Sequence, residues 1–147
     1  MKRLLVALAS VAVALPAAAA EYQLVGVTPD GLAMWVDMGS VPRQVNAAGL
    51  PSVIVETIDF RTNARYDYTQ DVLRIGCAQH TFQIATRNGY RNGVLQDTDH
   101  FDQWLDIQRG SAIDNIHGIV CRGLKAKHSV QANNPGELRS ATERFLR

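Results

Sequence analysis

"LRIGCAQHTFQIAT", residues 73–86, reads as a strand, a tight turn and a second strand, with Cys77 closing the first. Alternate residues of a strand share a face. Leu73, Ile75 and Cys77 therefore point one way, and Arg74 and Gly76 the other. On the returning strand His80, Phe82 and Ile84 share a face, expected to be the same one. Cys77 then belongs to an apolar sheet face that needs a cover.

The second cysteine of the chain, Cys121, closes "GSAIDNIHGIVC", residues 110–121. Ala112, Ile113, Ile116, Ile119 and Val120 fall there at helical spacing, as one apolar stripe. Ser111 followed by Asp114 makes an approximate capping box, and Arg122-Gly123 supplies a stop. A helix with an apolar stripe needs a surface, and the sheet face needs a cover. A Cys77–Cys121 disulfide joins these two needs, and two cysteines in an exported chain usually pair. Closing 44 positions is worth about 4 kcal/mol in the chain-entropy model.

A metal reading stays open beside it. Cys77-x2-His80 and His117-x3-Cys121 have the spacing of two halves of a zinc cluster. The second half suits a helix face. The first works only if the turn redirects His80, because i and i+3 on a strand face opposite ways. A Cys/His nucleophile pair would leave one cysteine idle, and no base-orienting residue marks such a site.

The first twenty residues set the compartment. Lys2 and Arg3 precede an uncharged run from Leu4 to Leu15, then Pro16 and the small residues ending Ala18-Ala19-Ala20. This is the layout of a secretory signal peptide with cleavage before Glu21. The apolar run is shorter than the roughly 20 residues that span a bilayer, so no membrane span is expected after cleavage. No cysteine lies near the cleavage point, so lipid attachment there is not expected. The expected location is periplasmic or secreted.

Residues 21–147 are enough for one domain. Acidic side chains exceed basic ones over 21–121, and basic ones exceed acidic over 122–147. The whole chain has a formal charge of +1, without the dense basic footprint that nucleic-acid binding needs. "YQLVGV" (22–27), the turn Thr28-Pro29-Asp30-Gly31 and "LAMWVDM" (32–38) predict a hairpin. A short strand is expected at 43–46 and a turn at 46–49, before the β-branched strand "PSVIVETIDF" (51–60). "RTNARYDYTQ" (61–70) reads as a loop, "GYRNG" as a turn and "VLQDT" (94–98) as a last strand. After the covering helix, "LKAKHSVQANN" reads as a polar linker. Asn134-Pro135-x-Glu137 begins a second, short helix. The segment 122–147 is accordingly expected to be a basic linker with a short extra helix or flexible tail, dispensable for the fold.

Three groups of side chains are candidates for function. Arg61, Arg65, Tyr66 and Tyr68 put cationic and aromatic groups on one loop, the composition of interface hot spots. Asp97, Asp99, Asp102 and Asp106 could bind calcium or do acid–base work, but lack the spacing of a calcium loop and read as a solvated acidic loop. Trp104 reads as a packing residue beside the helix start.

The order of these features resembles the surface-adhesin protein E family of Gram-negative bacteria. The resemblance covers about residues 21–121: the first strand, the Asp37-x-x-Ser40 turn in "GLAMWVDMGSV", "VIVETIDF", the strand ending in Cys77, "HTFQIAT", Trp104, and the helix ending at Cys121. It implies an α+β domain, a six-stranded antiparallel sheet with a helix held to one face by the Cys77–Cys121 disulfide. It also implies a non-enzymatic binding or adhesion module that needs no cofactor, recognises an envelope or extracellular protein and can dimerise. The lipid-anchoring cysteine of the name-giving adhesin and its C-terminal limit are not matched here. The alternative from the residues is a periplasmic hydrolase or zinc-binding protein using Asp, His and Cys groups.

Overall fold

The computed structural model describes residues 19–42 and 49–147. Most of the expected leader, the expected strand at 43–46 and most of the turn at 46–49 lie outside the described residues.

Apolar residues alternate with partly exposed ones through much of the chain, and this period of two builds the sheet. Its strands are β1 Ala20–Val27, β2 Leu32–Asp37, β3 Ser52–Asp59, β4 Tyr68–Gly76, β5 Thr81–Arg91, β6 Val94–His100 and β7 Trp104–Asp106. Helix α1 Ala112–Arg122, strand β8 His128–Ala132 and helix α2 Pro135–Phe145 follow. Neighbouring strands are antiparallel, in the order β6-β5-β4-β3-β2-β1-β8. β7 pairs with the start of β5, on the edge that β6 occupies further along.

The period of two also sorts the core into two halves. On β2, Val36 faces α1 while Ala33 and Trp35 face α2. The first half gathers Val25, Val36, Val53, Val55, Leu73 and Ile75 under Ile116, Ile119 and Val120 of α1. Phe82, Ile84 and both cysteines pack against it, as expected. The second half gathers Ala33, Trp35, Ile58 and Ala132 under Leu138 and Ala141 of α2.

Both helices begin as their sequences predict. The Ser111 hydroxyl accepts the Asp114 N–H at 3.1 Å, and Gly123 ends α1 with φ 66°. Asn134 accepts the Glu137 N–H at 3.2 Å, with Pro135 in the first turn. Close docking of α1 needs Gly26, where a Cβ would stand 2.7 Å from the Ala112 Cβ. The Asp37-x-x-Ser40 turn is also present. Asp37 Oδ1 accepts the Gly39 N–H, and the Ser40 hydroxyl accepts the Ile54 N–H.

Among the described residues the sheet has eight strands rather than six, and the segment 122–147 is no appendage. β8 pairs with β1 from Ala20↔Ala132 to Leu24↔His128. α2 then covers the face opposite α1. Thr142 is fully buried and its hydroxyl accepts the Trp35 indole N–H at 3.0 Å. β8 reads as a linker because it is an edge strand of mixed side chains. Its pairing runs through backbone groups, which no side-chain pattern advertises. The expected strand at 94–98 is present as the start of β6, which carries Asp97 and runs on through Asp99, and Asp106 lies on β7 rather than in an acidic loop. Trp104, expected to pack, is 39% exposed on β7. Tyr68 to Gln70 belong to β4, and the "GYRNG" turn shrinks to Asn92-Gly93 between β5 and β6.

Burial also traps a carboxyl group. Glu56 is 2% exposed on β3, with Oε1 accepting from Gln70 Nε2 at 2.8 Å. Among the described residues Oε2 has no partner. Burial, with Asp37 and Asp71 adding repulsion, pushes its pKa from the ordinary 4.5 up to about 7, against the opposing Gln70 bond.

Two outcomes follow from this packing. Truncation after Arg122 uncovers Trp35 and Ile58, so thermal denaturation should show a Tm lower by more than about 10 °C, or no cooperative transition. The native state holds the Glu56 proton at pH values where the unfolded chain has released it. The resulting stability is fully present below about pH 4.5 and lost as pH rises through about 7. Glu56→Gln should therefore raise stability at pH 8 by about 2 kcal/mol, with the gain vanishing below about pH 5 in urea titrations.

Candidate functional site

The loop 60–67 between β3 and β4 carries Arg61, Arg65 and Tyr66 of the expected binding residues, Tyr68 opens β4, and the structure divides them. Arg61 folds back on Asp59, with Nε donating to Oδ1 at 2.9 Å and Nη2 to Oδ2 at 2.6 Å. These bonds hold the Asp59 carboxyl below its ordinary range. Arg65 Nη2 and the Tyr66 hydroxyl both donate to Asp97 Oδ2 on β6, at 2.8 and 2.7 Å. The Arg65 guanidinium lies 5.0 Å from the Tyr66 ring centroid. The Tyr66 ring packs on Gly89, where a Cβ would come within 2.5 Å of it. Tyr68 instead stacks on Tyr90 of β5, with centroids 4.7 Å apart and planes 6° from parallel. Arg61 and Tyr68 face one hollow, while Arg65 and Tyr66 border a smaller one on the other side of Arg61.

The larger hollow is a cleft of about 770 Å³. Its walls are the 60–67 loop, the Asn92-Gly93 turn and the first turn of α2. Asn92 has φ 51° and Gly93 φ 74°, the left-handed pair that a two-residue hairpin turn requires. The Asn92 N–H donates to Asp67 Oδ2, tying that turn to the loop. Arg139 of α2 ties the other side. Its Nη2 donates to the carbonyls of Asp59 at 2.6 Å and Asp67 at 3.1 Å, and its guanidinium lies 4.6 Å from the Phe60 ring centroid. The cleft thus joins three guanidinium groups, of Arg61, Arg91 and Arg139, to the aromatic rings of Phe60 and Tyr68. Arg61 and Arg139 are engaged with protein oxygens, and Arg91 is exposed.

Arg91 and Arg139 are not among the expected site residues. Arg139 sits in the segment expected to be a tail, and Arg91 in the span expected to be a turn. The signal that pointed to both was present: Asn-Gly between strand-like runs marks a two-residue hairpin, and the Asn134-Pro135 start implies a docked helix.

The four-residue metal set Cys77, His80, His117 and Cys121 does not form. The cysteines are bonded to each other, with Cα atoms 5.6 Å apart, and a disulfide sulfur is no thiolate ligand. The two histidines do meet. Their ring centroids are 4.4 Å apart, because His80 takes φ 56° at the end of the β4–β5 turn. That left-handed residue is the redirection the spacing demanded. His80 Nε2 also lies 3.5 Å from Asp114 Oδ1, a residue that sequence reading placed only as a cap.

No family model matches the chain, and no curated protein or solved structure matches it.

Proposed function

We propose that the chain is a small exported, non-enzymatic binding module of the bacterial envelope, working in the periplasm or outside the cell. The observation that carries this reading is the cleft of about 770 Å³ between the 60–67 loop and α2. Tyrosine and arginine give up water at modest entropic cost and dominate the centres of protein interfaces. Guanidinium groups beside aromatic rings favour a partner segment that presents carboxylates next to apolar side chains. The partner is accordingly an envelope or extracellular protein.

Two further points support the reading. The layout of residues 1–20 is that of an export signal, and a disulfide is the covalent bond that an oxidising compartment preserves. The resemblance to the surface-adhesin protein E family implies the same class of function and the same tethered helix. The eight strands and the second helix set this chain apart from the six-stranded sheet that the family implies. The hydrolase alternative loses both cysteines to the disulfide.

Residues 21–147 should capture a partner from an array of envelope extracts and extracellular-matrix proteins. Arg61→Ala combined with Arg91→Ala should weaken that interaction at least about tenfold. Both side chains are exposed, so Tm should stay nearly unchanged. Equal affinity in the double variant contradicts the assignment to the cleft. Turnover of a substrate by the purified protein contradicts the non-enzymatic reading.

A further inference from the structure

His80, Asp114 and His117 converge beside the disulfide, on the face of the sheet that α1 covers. Each offers one ligand atom, and the three atoms lie within 4.8 Å of one another. Around zinc with bonds of about 2.0–2.1 Å, tetrahedral ligand atoms stand about 3.3 Å apart. The 3.5 Å between His80 Nε2 and Asp114 Oδ1 is already close to that spacing.

The surroundings orient each group. His117 is 7% exposed, and its Nε2 lies 3.3 Å from the Cys77 carbonyl oxygen. A carbonyl only accepts, so Nε2 carries the hydrogen and Nδ1 of the neutral ring holds a bare lone pair. That Nδ1 is buried and has no partner among the described residues. A metal-ligating histidine uses the same arrangement, one ring nitrogen donating to a backbone carbonyl and the other facing the ion. Asp114 is fixed likewise. Its Oδ2 accepts the Gly110 N–H at 2.8 Å, which leaves Oδ1 toward His80. His80 Nε2 is also buried and without a hydrogen-bond partner among the described residues. The His80 and Asp114 side chains stay partly exposed, at 38% and 21%, and leave a way in from solvent.

We propose that His80, Asp114 and His117 bind one divalent first-row transition ion of the zinc class, with the remaining coordination positions open to water or a ligand. Two imidazoles and one carboxylate suit zinc, copper(II) or nickel and discriminate against magnesium and calcium, which take oxygen ligands. The disulfide serves as scaffold, because it pins the turn carrying His80 to the helix carrying Asp114 and His117. This site lies apart from the Arg61–Arg139 cleft, and neither depends on the other.

The test is equilibrium dialysis of untagged, oxidised protein against zinc sulfate, with imidazole nitrogen shifts followed by NMR. One zinc per chain is expected, with His117 Nδ1 as the nitrogen whose shift moves most and with no competition from excess magnesium or calcium. His80→Ala and Asp114→Asn each alter a partly exposed side chain. Each should weaken zinc binding at least about tenfold while circular dichroism and Tm without metal stay close to the parent. Absence of binding at micromolar zinc overturns the proposal. So does unchanged affinity in both variants, or competition by calcium.

Discussion

The bond between Cys77 and Cys121 fixes what the rest of the molecule must accommodate. It joins the turn at the end of β4 to the last turn of α1 across 44 positions of chain. Once that link exists, the stripe of Ile116, Ile119 and Val120 has one surface available, the face carrying Val53, Val55, Leu73 and Ile75. The link also fixes the direction in which the chain leaves α1. Gly123 turns it, with its N–H returning to the Ile119 carbonyl. The Ala126 N–H then meets the Gln23 side chain, and β8 is delivered to the free edge of β1. From that edge α2 falls across the opposite face. The disulfide on one side of the sheet thus precedes, in the logic of the chain, the closure of the other.

That order explains why the sheet needs two covers. Interior strands here alternate apolar residues on both faces. Trp35, Ile58 and Ala33 would meet water if α1 were the sole cover. Trp35 also needs a partner for its indole N–H when buried, and the Thr142 hydroxyl supplies it while donating in turn to the Leu138 carbonyl. The Arg139 guanidinium extends the same contact outward, through the Asp59 and Asp67 carbonyls, to the loop that frames the cleft. The cleft therefore exists because α2 is docked.

Much of this was legible in the residues. The hairpin around Ala78-Gln79, the cap at Ser111 and the start at Asn134-Pro135 each rest on local chemistry and each is present, and the chain has only two cysteines to pair. What could not be read depends on partners distant in sequence. β8 and β7 are short edge strands defined by their neighbours' free backbone groups. The orphaned polar atom of Glu56 lies within a strand, "VIVETIDF", whose pattern says only that it is β. At the candidate sites, His80 and His117 stood out by spacing, but Asp114 reads as a capping residue until the turn brings His80 to it. Arg61 was legible as a loop residue; that Tyr68 begins β4 and that Arg65 and Tyr66 are spent on Asp97 was not.

The fold depends most on the covalent link, and peptide mapping of the unreduced protein tests it directly. The structure requires one linked pair of peptides, carrying Cys77 and Cys121, and no thiol that alkylates in the unfolded protein. Two alkylatable cysteines would contradict the account: α1 would lose its tether, and the thiolates would join His80 and His117 as competing metal ligands.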